Sequence, residues 1–341
     1  MHRRHGTAYS GDSGGVTVNK ISKFKNFYMN IEIDIAGTFI YRGVREFNCL
    51  DHFYNAAEIF HVLYSVSVGI ERLQKVLLVL LEEIDPENAL EFEKSLITHS
   101  HRELHDRIAE KINLTLNPHE NRFLDMLAYF YNTCRYNRFC FTGDLQPERT
   151  ALVNFLEQSL QITIDNDSFF VTPNDDRIKK FWGRVVGSTS RAYYKEIANA
   201  AYRLNLFSYE LRSDSMAFKV FTPRFPDESL HRLHQNEQIA LKEFLIYLMN
   251  TNHTSRLLSL MREIPPLDLD VALVQDYLSR ILKHDVPQSL IDEIDTLYED
   301  MEEVGSRIQM LSIIGDESII SLEDEHENDA HNDDGYDDDC G

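Results

Sequence analysis

Apolar positions along this chain fall mostly at helical spacing, with one early exception. In NIEIDIAGTFIY, residues 30–41, Ile31, Ile33 and Ile35 alternate with Glu32 and Asp34. That period of two predicts a strand, and Gly37 places a turn before a second short strand, giving an N-terminal β-hairpin. Beyond it the period lengthens. A long helix is expected from about Asn55 to Glu83, ending at DPEN, where Asp85 can cap a following helix with Pro86 in its first position. That second helix is expected to reach about Ile112. Asn117 and Pro118 repeat the start signal for a third helix, and QPERTALVNFLEQSL makes a fourth. Four helices with short connections over about residues 55–162 imply an antiparallel bundle.

Turn formers in TIDNDSFFVTPNDD set a boundary near residue 168, with room for a short strand. The next segment reads as helical, interrupted near Gly187. MAFKVF (216–221) reads as a brief strand, and helices resume from Asp227 to about Ile314, punctuated by Pro265, Pro266 and Pro287. The expected organisation is a polar, disordered N-terminus (1–25), a helical bundle with its hairpin (26–167), a second helical module (168–315) and an acidic disordered tail (316–341). The fold class is mainly α.

The net charge of −22 is unevenly spread. Residues 316–341 hold twelve acids and no Lys or Arg, so the remainder carries −10. Four cysteines without a CxxC pair give no disulfide framework and suit a reducing cytosol. No apolar segment follows the basic residues at the N-terminus, and Glu71, Arg72 and Lys75 interrupt the most apolar stretch, Val62–Leu81. Neither a secretory signal nor a membrane partner is expected, and the location implied is cytoplasmic.

Three histidines lie within ITHSHRELHDRI, residues 97–108. A zinc protease needs H-E-x-x-H, but here Glu103 follows Arg102, on the side of the helix away from His101 and His105. His101 and His105 keep the one-turn spacing of a metal pair without an identifiable third ligand, so no metal is assigned. Ile97, Leu104, Ile108 and Ile112 share their face, so the pair either borders the core or forms a polar patch in a groove. On the continuous helix expected here, His99 faces away from that pair. Glu71 and Lys75, four apart, read either as an ordinary surface pair or as part of an internal polar site.

The order YSVSVGIERLQKVLLVLL, then SHRELHDRI, then a helix ending NTCRY resembles the HEPN superfamily of small helical bundles. The resemblance covers roughly a third of the chain. His105-Asp106 and Arg135-Tyr136 match that family's short histidine and Arg-Tyr elements; Arg107 and Asn137 stand where the family has Leu and Pro. The resemblance implies nucleotide binding or metal-independent RNA cleavage within a prokaryotic defence or toxin system. His101, His105 and Arg135 would be the catalytic candidates, with Tyr136 and Asp106 in the groove. The family's nuclease spacing of Arg then His occurs twice, at Arg45 with His52 and at Arg224 with His231.

Residues 177–212 form a basic island, eight Lys or Arg against Glu196 and Glu210, interleaved with Phe181, Trp182, Tyr193, Tyr194 and Tyr202. Cations neutralise phosphates and exposed rings stack on unpaired bases, so Lys179, Lys180, Trp182, Arg184, Arg191 and Lys195 are candidate contacts for single-stranded nucleic acid. The alternative is a helix that buries its rings and shows its charges to water. GRVVGSTSR lacks the Lys and spacing of a phosphate loop, and HNDDGYDDD lacks the first Asp of a calcium loop. No cofactor is expected. The partner is RNA or a nucleotide; the competing class is a non-catalytic scaffold that binds proteins through helical faces or its acidic tail.

Overall fold

Ile33, Ala36, Ile40, Val44 and Phe47 recur every three or four residues, and all are buried along one face of a helix, α1 (Met29–Cys49). The expected hairpin is therefore absent: the alternation at 31–35 is shorter than the helical period that contains it, and Ile31 is left exposed. Gly37 makes no turn. A Cβ there would lie 2.5 Å from the Cα of Ala217, so the glycine marks a close helix crossing. The computed structural model describes residues 20–85, 87–134, 145–165, 171–206, 215–222, 229–253 and 255–315. These are mainly helical, with no strand among them.

Residues 20–28, partly expected to be disordered, are helical, with a π-helical turn at Phe24–Tyr28 leading into α1. The next helix, α2 (Ala56–Leu81), begins where Asn55 Oδ1 accepts from the backbone of Ala57 and Glu58. The single helix expected over 86–112 is two, α3 (Ala89–Ser95) and α4 (His101–Ala109). Between them Thr98 Oγ1 accepts from the Ser100 backbone and Ser100 Oγ accepts from Glu103 N, local bonds that compete with a continuous helix. A full capping box between Asn117 and Glu120 opens α5 (Pro118–Tyr129), which runs into a π-helical turn at Phe130–Cys134. α6 spans Pro147–Leu160 as expected.

Asp175 caps α7 (Asp176–Arg203), which passes Gly187 without interruption. MAFKVF is helical, α8 (Met216–Phe221), because Ala217, Val220 and Phe221 turn to one buried side. The remaining helices are α9 (Leu230–Asn250), α10 (Arg256–Glu263), α11 (Val274–Leu282), α12 (Gln288–Glu299) and α13 (Val304–Leu311). No described helix is long and apolar enough to cross a membrane.

Contacts divide the chain into two units, Met1–Glu237 and Gln238–Gly341. The first thus extends past the boundary expected near residue 168, because α7 supplies its core with the chain's single tryptophan. The Trp182 ring stacks on Phe47 at 4.6 Å and meets Phe123 edge-on at 5.6 Å. α2 packs against α1 on one side and α7 on another. In the second unit Tyr277 is buried and its hydroxyl donates to Glu293 at 2.6 Å, joining α11 to α12.

The crossing at Gly37 has no space for a branched side chain. Gly37→Val should destabilise the first unit by about 1–3 kcal/mol, the usual penalty for overpacking. Urea denaturation followed by helical circular dichroism measures this, and a change below about 0.5 kcal/mol would contradict the crossing.

Candidate functional site

Polar side chains on a buried helix must find partners, and α2 carries four within its buried face: Ser65, Ser67, Glu71 and Gln74. Gln74 Nε2 donates to the His101 carbonyl and to the Tyr193 hydroxyl, both at 2.9 Å. That hydroxyl lies 2.9 Å from His105 Nδ1. With its oxygen accepting from Gln74, Tyr193 gives its proton to His105, whose own ring proton then sits on Nε2. His101 Nε2 lies 2.9 Å from the Ser67 carbonyl, which only accepts, so the proton is on that nitrogen. Burial lowers the pKa of both histidines, for His101 against the Ser67 bond and Glu71, and for His105 with help from Arg102. Burial likewise raises the Tyr193 phenol.

His101 and His105 therefore belong to an internal network rather than to an exposed groove: the His101 residue is fully buried and His105 is 7% exposed. The short helix α4 begins at His101 and presses both rings toward α2 and α7. Asp106, the next residue, is exposed. Arg135 and Tyr136 lie outside the described residues, as do Arg212, Arg224, the segment 166–170 and the tail 316–341. Of the two Arg-to-His spacings, Arg45 lies over the Tyr41 ring and His52 against Tyr54. His231 is buried, with Nδ1 3.1 Å from Asn48 Oδ1 and Nε2 2.9 Å from Asp176 Oδ1. Asn48 also reaches His234 at 3.3 Å, so this polar cluster holds the start of α9 against α1 and α7. Burial lowers the His231 pKa, against the pull of Asp176.

The basic island resolves into two faces of α7. Ile178, Trp182, Val185, Val186, Tyr193 and Ile197 are buried. Trp182, expected to stack on a base, is instead a core residue, because the inward face of the longest helix needs its largest apolar surface. Tyr193 is likewise internal, and Tyr194 stacks on Phe221 at 4.8 Å. At 100° per residue, Arg177, Lys180, Arg184, Arg191 and Lys195 fall within an arc of about 60°, opposite the buried face. Arg177, Lys180, Arg184 and Lys195 are exposed. Lys180 is paired with Asp176 at 2.6 Å. Lys179 lies off this stripe and is half-buried.

The sequence reading missed a second polar feature. His99 lies outside any helix, and its Nδ1 is 3.2 Å from both carboxylate oxygens of Glu71. Lys75 Nζ approaches Glu71 Oε1 at 2.6 Å. The Glu71 side chain is only 10% exposed, so this is no ordinary surface pair. Together with the Arg72–Glu32 ion pair and the rings of Tyr64 and Tyr131, these residues line a pocket of about 440 Å³. Only the charges on an otherwise apolar helix hinted at it. Among the described residues no group of three His, Cys, Asp or Glu is placed to share a metal ion. No family model, curated protein or solved structure matches the chain.

The internal histidines fix the direction of a pH effect. Their depressed pKa values mean the neutral rings contribute stability that is complete above the unfolded value of about 6.5 and is lost as pH falls toward the folded values. Urea midpoints should drop between about pH 7.5 and 5, at up to about 1.4 kcal/mol per pH unit for each histidine, and less steeply in His101→Gln. A flat profile would contradict the buried neutral rings. Tyr193→Phe, which strands Gln74 and His105, should cost about 1–3 kcal/mol.

Proposed function

We propose that the protein binds single-stranded RNA through the outer face of α7. The observation that carries this reading is the basic stripe, whose members from Arg177 to Lys195 span about 27 Å at 1.5 Å per residue. Phosphates along an extended strand are spaced to meet such a row, and each neutralised phosphate releases counterions. Of the rings in the island, Trp182 and Tyr193 are core residues while Tyr202 is exposed, so the α7 face is proposed to recognise chiefly backbone charge. In an acidic chain such a row is an island of opposite sign, which orients an approaching polyanion.

The resemblance to HEPN bundles supports the same ligand class, and the association with a defence or toxin system rests on that resemblance alone. The bundle arrangement of α2, α4, α5 and α6 belongs to this reading too. Its enzymatic version, metal-independent cleavage by His101 and His105 with Arg135, draws no support from rings enclosed by Ser67, Gln74 and Tyr193. Binding is therefore the activity proposed for the stripe.

A second reading, a protein-interaction scaffold, is favoured by the second unit. There Val274, Leu278 and Ile281 form an exposed apolar row along α11, at the i, i+4, i+7 spacing by which a helix docks into a partner.

Fluorescence anisotropy of labelled single-stranded RNA across a salt series separates the two. The RNA reading expects affinity to fall with salt, and Arg184→Glu with Lys195→Glu to weaken binding at least about tenfold and flatten the log–log slope by about 1.4, some 0.7 per lost contact. The emission of Trp182 should not change on binding, because the ring is enclosed. Salt-insensitive binding, or none at low salt, would move the weight to the scaffold.

A further inference from the structure

The pocket beside α2 combines an aromatic lining with a specific pattern of donors and acceptors. The Glu71 carboxylate is held by Lys75 at 2.6 Å and faces His99 at 3.2 Å, and the His99 and Tyr131 rings lie 5.0 Å apart. Tyr64 is near-parallel to Tyr131, with an interplanar angle of 13°. Arg72 is closed on Glu32, which leaves Glu71 and Lys75 as the polar pair to be read by a ligand. Lys75 and His99 already partner this largely buried carboxylate, and its remaining acceptor capacity lines a mostly apolar pocket.

We propose that this pocket binds guanine. Along its wall Lys75 Nζ is a donor beside the two oxygens of Glu71, which His99 Nδ1 shares at 3.2 Å and which become paired acceptors for a ligand when that ring, carried on the loop before α4, turns aside. The Watson–Crick edge of guanine carries the complementary order: the O6 acceptor, then the N1–H and N2–H donors. A carboxylate takes the two N–H groups side by side, as it takes the two arms of a guanidinium. Adenine and cytosine begin with a donor where Lys75 requires an acceptor, and uracil ends with an acceptor facing a carboxylate oxygen. Hypoxanthine matches the first two positions and lacks the third. The rings of His99, Tyr131 and Tyr64 supply the aromatic surface that a flat base needs. The volume of about 440 Å³ lies within the range of small-ligand sites.

The inference deepens the RNA reading and rests on it only where the guanine belongs to a strand; a free guanine nucleotide presents the same edge. Isothermal titration of the full chain with GMP, IMP and AMP tests it without any mutation. GMP should bind, IMP at least about tenfold more weakly for want of one hydrogen bond to a charged group, and AMP not measurably. Glu71→Gln should erase the preference of GMP over IMP. A matched pair of oligonucleotides, one with a central G and one with A, distinguishes the sources: a preference seen with these and not with GMP assigns the pocket to RNA. Equal affinities among the three nucleotides together with no preference between the oligonucleotides overturns the proposal. Failure of the α7 variants to change RNA binding would overturn the stripe and leave the guanine site standing.

Discussion

A helix buried on nearly all sides cannot leave its polar groups to water, and in this protein α2 sets that constraint for everything around it. Its apolar residues, from Ile59 to Leu80, make the centre of the first unit's core. Each polar residue among them then dictates what a neighbouring element must bring. Gln74 requires a hydroxyl and a carbonyl, and obtains Tyr193 from α7 and the backbone of His101. The Ser67 carbonyl faces a histidine ring nitrogen, and Glu71 draws a lysine from one turn along the helix and a histidine from the α3–α4 connection. In each case the energetic stake is the desolvation of an unpaired group, which exceeds the net worth of any single bond. The polar pattern of α2 thereby fixes the register of α7 and the placement of the loop carrying His99.

This constraint accounts for what was legible in the sequence and what was not. The ends of α2, α5 and α6 carry local signals, Asn55, the Asn117–Glu120 capping box and Pro147, and those signals act within one turn of chain. The hairpin expected at 31–41 failed because a run of five alternating residues fits a strand locally, whereas the deciding positions, Ile40, Val44 and Phe47, lie outside it and depend on packing against α2. Gly37 misled for the same reason: a glycine at a turn and a glycine at a helix crossing are identical in sequence, and Ala217, which distinguishes them, is far along the chain. Histidine spacing placed His101 and His105 together, yet the partners that fix their rings come from α2 and α7. His99, the exposed member of the three, was assigned to the wrong face because the break before Ser100 was not anticipated.

The case of α7 shows how composition and geometry divide the work. A segment rich in both cations and aromatic rings is equally consistent with a nucleic-acid platform and with an amphipathic helix. Burial separates the two sets: Trp182 and Tyr193 go inward, and Arg177, Lys180, Arg184, Arg191 and Lys195 fall on the opposite face. The inward half is what makes the outward half usable. Trp182, clamped against Phe47 and Phe123, holds the helix rigidly to the core, so the charges along its outer surface keep a fixed spacing.

In the proposed RNA reading, the distribution of charge sets how a strand approaches. A uniformly basic surface would attract any polyanion in many orientations, whereas a stripe confined to one helix face attracts it in few. Phosphate contacts of this kind position a strand without reading it. Discrimination among bases then has to come from a site with buried, directional hydrogen-bonding groups, because only there does a mismatched partner leave a donor or acceptor stranded away from water. Among the pockets of the first unit, the one walled by Glu71, Lys75, His99 and Tyr131 combines such groups with aromatic surface. On the proposed RNA reading, affinity and selectivity have separate physical origins: long-range and salt-sensitive on α7, short-range and geometric beside α2.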